Sequence, residues 1–207
     1  MQEKLVAFLN SPGLETYLAI REEVIGSSQY APYSEELDSA DQLLDAGEYM
    51  EARQRITESM PNLLLSPRAH YLLCRIARAL NDHNTAESEL KMFVVCLAGI
   101  LQTGDGSHER PYVVVRVDDE YDLIHWELRK ERVGQSLIQK EEKCYDVLRL
   151  EDGSELWFDI TDAFRRSQEE PGNGFYRVRL EHDARRRRRA GAQRQPQAAG
   201  RRGAARR

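Results

Sequence analysis

The sequence predicts an α+β protein: helical hairpins over roughly the first hundred residues, a small and mainly antiparallel α+β domain, and an arginine-rich tail. Three observations carry this expectation. Apolar residues recur at helical spacing as far as Gln102. From Pro111 onward, β-branched and alternating runs take their place. From Ala184 the chain holds only Arg, Ala, Gly, Gln and one Pro, so it has nothing to bury and reads as disordered. The expected divisions are N-terminal helices over 1–34, helical hairpins over 35–102, the α+β domain over 103–183 and the tail over 184–207.

The first helix carries Leu5, Val6, Phe8 and Leu9 and stops at Ser11-Pro12-Gly13. Ser11 as N-cap and Pro12 at the first helical position are expected to start a second helix, with Leu14, Tyr17, Leu18, Val24 and Ile25 along it. After the link QYAPYSEE, Leu37, Ala40, Leu43 and Leu44 mark a third helix.

From there the chain repeats. Gly47, Tyr49, Ala52 and Ile56 align with Asn81, His83, Ala86 and Leu90 at a constant offset of 34 residues. A small turn residue ends one helix, an aromatic follows, and an alanine sits where two antiparallel helices approach most closely. Period and positions resemble the tetratricopeptide pattern, with Pro61 and Pro67 at the hand-overs between hairpins. Cys74 stands where that family usually has Gly, and no Trp opens either repeat. Two repeats are few for a solenoid, so flanking helices at 2–9, 14–26 and 85–102 are expected to close its ends.

In the second half, TGDG reads as a helix stop with Gly104 in the left-handed conformation. PYVVVRV reads as a strand and 118–129 as a short helix. Strands are expected at 133–140, 143–150 and 155–160, then a helix capped by Thr161 and a last strand at FYRVRL. Gly104-Asp105-Gly106, Glu120-Tyr121, Tyr145-Asp146 and Phe158-Asp159 resemble the pattern of a bacterial domain-of-unknown-function family. That resemblance implies a fold unit and no activity.

One local constellation points to chemistry. Asp152-Gly153 suggests a two-residue type I′ turn, which places Asp146 directly opposite Asp159. Such carboxylates are either solvated, share a proton or gather a cation, with Glu120 and Asp105 as further recruits. Alternatively, each caps a turn or meets an arginine such as Arg116 or Arg177. TGDG lacks the lysine and hydroxyl of a P-loop, and His108 beside it reads as a solvated loop residue. His70, His83, His125 and His182 have no metal-ligand spacing. Cys74, Cys96 and Cys144 fit neither a disulfide framework nor a zinc site, and read as buried thiols of a reducing, cytoplasmic compartment. No stretch has the length and apolarity of a membrane span, and no cofactor or metal is expected.

Ten arginines and no acids lie between Arg185 and Arg207, and without them the formal charge falls from −5 to −15. A body so acidic repels phosphate backbones, so any nucleic-acid contact belongs to the tail and is non-specific. The expected function is non-catalytic protein binding or scaffolding, through an acidic groove that takes a basic or neutral protein or peptide. The alternative is a divalent-metal-dependent hydrolase built on Asp146 and Asp159.

Overall fold

The computed structural model describes residues 1–169. Six helices come first: α1 (Gln2–Asn10), α2 (Leu14–Ile25), α3 (Glu36–Asp45), α4 (Tyr49–Glu58), α5 (Pro67–Ala79) and α6 (His83–Thr103). The second starts later than expected. Gly13 is its N-cap, because the Thr16 hydroxyl accepts from Gly13 N at 3.1 Å and donates to Ser11 O at 2.8 Å. Ser11 and Pro12 therefore lie outside the helix. At α5, Ser66 Oγ accepts from Ala69 N and Pro67 takes the first helical position.

The helices α3 and α4 form one hairpin and α5 and α6 a second, and the backbone closures that end α3 and α5 match at the 34-residue offset. Gly47 (φ 83°) and Asn81 (φ 60°) both adopt the left-handed conformation. Glu48 N donates to Leu43 O and Asp82 N to Ala77 O, while Gly47 N donates to Leu44 O and Asn81 N to Arg78 O. Each is a six-to-one closure that satisfies the last carbonyls of a helix. Ala52 is fully buried and Ala86 nearly so. The first alanine shares a core with Leu37, Ala40, Leu44, Ile56, Leu72 and Ile76, and the second packs on Cys74 and Ala77. Tyr49 and His83 open equivalent helices, yet Tyr49 packs on the core whereas His83 is exposed.

Past the hairpins, Gly99 of α6 meets the Tyr17 ring of α2 so closely that a Cβ would lie 2.4 Å from the ring. The TGDG turn differs from expectation. Gly104 is extended (φ −168°), and a Cβ on it would sit 2.2 Å from Arg110 O, so this glycine serves a close backbone pass. The left-handed residue is Gly106 (φ 77°).

The sheet has the order β1-β4-β3-β2, with β1 (Tyr112–Val113) parallel to β4 (Glu155–Asp159), while β3 (Lys143–Leu150) is antiparallel to both β4 and β2 (Arg132–Lys140). The run PYVVVRV makes only a two-residue strand. Its carbonyls are claimed by side chains: Tyr17 Oη donates to Val113 O, Arg21 to Val114 O at 3.0 Å and Tyr30 Oη to Val115 O at 2.7 Å. The expected helix at 118–129 is a six-residue α7 (Asp118–Leu123) continued by a π-helical turn, Ile124–Leu128, and ended by left-handed Arg129.

The hairpin register is also corrected. Residues 151–153 form a three-residue loop with Gly153 at φ 84°, closed by Leu150 N to Ser154 O. Asp146 therefore faces Phe158, and Asp159 faces Tyr145. One extra loop residue shifts every pair by one, and because side chains alternate, it moves Asp146 and Asp159 to opposite faces. The core face carries Cys144, Asp146, Leu148 and Leu150 with Phe158, all buried. Helix α8 (Thr161–Glu169) is capped by Asp159, whose Oδ1 accepts from Thr161 N at 3.0 Å, while Thr161 Oγ1 accepts from Cys144 N. Met1–Arg166 form one compact unit. The expected last strand and the arginine-rich tail lie outside the described residues.

Candidate functional site

The parallel strands β1 and β4 end together, and α8 begins at that edge. Strand ends beside a helix N-terminus are where ligands commonly enter α/β sheets. Here they border an open cleft of about 850 Å³ lined by Arg21, His108, Lys143, Tyr145, Asp159 and Asp162, among others. Its charges answer one another. Lys143 Nζ lies 3.2 Å from Asp159 Oδ2, and this bond raises the lysine above its ordinary pKa. Arg21 Nη2 lies 2.7 Å from Asp162 Oδ2. Both oxygens of Asp159 are engaged, one capping α8 and the other holding Lys143, so its role here is structural and electrostatic.

Of the four carboxylates singled out from the sequence, Asp146 and Asp159 lie on opposite faces of the sheet. Asp146 is fully buried on the reverse face from Asp159, and its Oδ2 accepts from Gln135 Nε2 at 2.8 Å. Gln135 Oε1 in turn accepts from Tyr121 Oη (2.6 Å) and Arg132 Nη1 (2.9 Å), with the Arg132 guanidinium 5.1 Å from the Tyr121 ring centre. Glu120 is buried on α7. Asp105 is an exposed turn residue that accepts from Ser107 N, and the Ser107 side chain first, with this backbone bond second, holds its carboxyl below the usual range. Among the described residues, no three His, Cys, Asp or Glu side chains are grouped to hold a metal ion.

What sequence reasoning missed is a buried charge network. Asp118, Asp119, Glu120 and Asp122, four acids on one short helix, are each at most 4% exposed. Asp119 Oδ2 accepts from Val115 N and Arg116 N, and burial, with Asp122 beside it, pushes its pKa up to about 8. Arg116 is wholly buried and donates to Ala31 O, Ser34 Oγ and Ser34 O, each at 2.9 Å. Burial works against the charge of Arg68, but the carboxylates of Asp118, Asp122, Asp38 and Asp41 outweigh it. The run RVDDEYD was the available signal, and its charge density argues for solvent unless partners close in space are known.

His70 is buried and lies between Glu89 Oε2 (2.6 Å from Nδ1) and Leu64 O (2.9 Å from Nε2). Burial lowers its pKa, yet Cys96, Glu89 and the Leu64 carbonyl together push it up to about 10. Both ring nitrogens then donate, and the imidazolium ties the loop before α5 to α6.

The helical hairpins show two surface features. Asp38, Asp41 and Asp45 of α3 reach Arg68 and Arg75 of α5, so the acids facing the neighbouring hairpin are bridged by arginine. Beside Arg75 on α5, Tyr71 joins Phe93 and Trp126 in a ring cluster with centroids 5.1–5.7 Å apart, all partly exposed. Leu90 (38% exposed) and Val94 (54%) flank Phe93 on α6. No family model, characterised protein or solved structure matches this chain.

Proposed function

We propose that this protein is a non-catalytic binding protein, a tetratricopeptide-like array whose acidic first hairpin holds a basic or neutral protein segment. The observation that carries the reading is the distribution of charge. Residues 35–58 contain eight acids and two arginines, a net −6, on a hairpin of buried core and fixed turn. Helix α4 turns Glu51 and Glu58 outward beside the equally exposed Arg53 and Arg55, and Glu48 at its N-cap adds the acidic excess. Carboxylates on a rigid element form a preorganised field for a cation-bearing partner, which gains encounter rate and register. The matching turns of the two hairpins support the tetratricopeptide-like description, because they place equivalent helices in the same local geometry. The hydrolase alternative has lost its premise, since Asp146 and Asp159 stand on opposite faces of the sheet.

The test is anisotropy of a labelled polylysine peptide titrated with the full chain. Binding should weaken steeply as salt rises and by about tenfold in the triple variant Glu48→Lys, Glu51→Lys, Glu58→Lys. An affinity indifferent to both would remove the reading.

A further inference from the structure

Resting on that reading, we infer that the aromatic cluster at Tyr71, Phe93 and Trp126, extended by Leu90 and Val94, is a second part of the same docking surface. The occupant it fits is an amphipathic helix whose polar flank is basic. The cluster joins three elements. Tyr71 comes from α5 and Phe93 from α6, while the π-helical turn after α7 delivers Trp126 edge-on to Phe93, with ring planes at 90°. Rings packed on one another keep their rotamers, so the patch is preformed, and aromatic side chains of this kind dominate binding energy where they are partly exposed. Leu90, Phe93, Val94 and Leu97 recur at i, i+3, i+4 and i+7 along α6, the spacing that a partner helix reads. Of these, Leu97 faces the core and Leu90 and Val94 face outward.

Charge selects the occupant. Ion pairs border the patch on two sides, Lys91 with Glu87 and Arg75 with Asp41 and Asp45. Arg75 is also the bridge between the two features, its guanidinium 6.0 Å from the Tyr71 ring centre and 3.7 Å from the exposed Asp45. An apolar anchor seated on the rings thus has the acidic end of α3 as its neighbour, and a Lys or Arg a turn or two away on a bound helix would meet Asp45 and Glu48. The body of a second copy fits less well. Residues 1–169 hold 32 acids against 18 Lys and Arg, a net −14, so two such bodies repel on approach.

The experiment titrates the full chain into two labelled synthetic peptides of one composition, a Leu/Lys helix with all leucines on one face and its non-amphipathic scramble. The amphipathic peptide should bind about tenfold tighter. Val94→Asp and Leu90→Asp, both at exposed positions, should each bring it down to the level of the scramble, while Asp45→Lys should weaken both peptides. Equal affinities, or indifference to Val94→Asp, overturn this inference and leave the electrostatic reading standing. If neither peptide binds, both readings fall. A photo-crosslinker at position 94 that captures residues 170–207 of the same chain in place of the peptide would assign the patch to the protein's own C-terminal segment and overturn docking in trans.

Discussion

Ala52 and Ala86 show what a single methyl group decides in this chain. At each, helices approach closely enough that the side chain is buried to 5% or less, among Leu37, Leu72 and Ile76 in the first case and against Cys74 and Ala77 in the second. Leucine at either position adds volume where there is none, and chemical denaturation should show a loss of about 1–3 kcal/mol. A like-charge pair at Asp146 and Asp159 would have made the asparagine variant of Asp159 neutral or stabilising. The observed geometry reverses that expectation. Asp159 caps α8 and holds Lys143, so Asp159→Ala should cost about 0.5–2 kcal/mol and fray α8, visible as lost helical circular dichroism. Gly104→Ala should also destabilise, because its Cβ would meet the carbonyl oxygens of Arg110 and Pro111, and backbone cannot step aside as a side-chain tip can.

Among the elements, the three-residue loop between β3 and β4 carries the largest consequence. Gly153 at φ 84° supplies the left-handed residue that such a loop needs, and Asp152 supports it by accepting from Ser154 N and by pairing with Lys130. These bonds, the Lys130 contact first, hold the Asp152 carboxyl well below the usual range. Gly153→Ala should cost about 1–2 kcal/mol, the left-handed penalty for a residue with a Cβ. Shortening the loop by one residue is a sharper test. It would drive Asp146 onto the open face, and the prediction is loss of cooperative unfolding rather than a modest shift in midpoint. The short β1 belongs to the same scale: helix α2 and Tyr30 take the carbonyls of 113–115 with side-chain donors, and a strand has no carbonyls left to offer a neighbour.

For the whole molecule, buried titratable groups set how stability varies with pH. Asp119 has a folded pKa of about 8, against an ordinary carboxyl value near 4 in the unfolded chain. Its contribution is complete below pH 4 and is lost as pH rises through 8. His70 behaves alike, with a folded value of about 10 against 6.5, so its contribution is complete below 6.5 and lost as pH rises through 10. Both act in the same direction, and denaturation midpoints should decline from mildly acidic to alkaline pH. Asp119→Asn should flatten the part between 4 and 8 and leave the decline above 8, whereas His70→Gln should flatten the alkaline part.

The helical half was legible because its determinants are local. Left-handed turn residues, caps and buried alanines all act within a few residues of one another, so a 34-residue offset in the sequence reappears as matching closure bonds at the ends of α3 and α5. The candidate carboxylates were legible as residues but not as a site. Whether two side chains on neighbouring strands share a face depends on whether the loop between them has an even or odd number of residues, and Asp152-Gly153 fits a two-residue and a three-residue loop alike. The acids of α7 could not be read as buried, since their environment is supplied from afar: Arg68 stands about fifty residues before them, and Arg116 is anchored to Ala31 and Ser34 across 85 and 82 residues. By itself the sequence determined the helices, the repeat and the acidic excess, all of which follow from short-range spacing and composition. Tertiary structure alone decided strand register, the truncation of β1 and the burial of charge, because each depends on partners that meet only when distant segments pack.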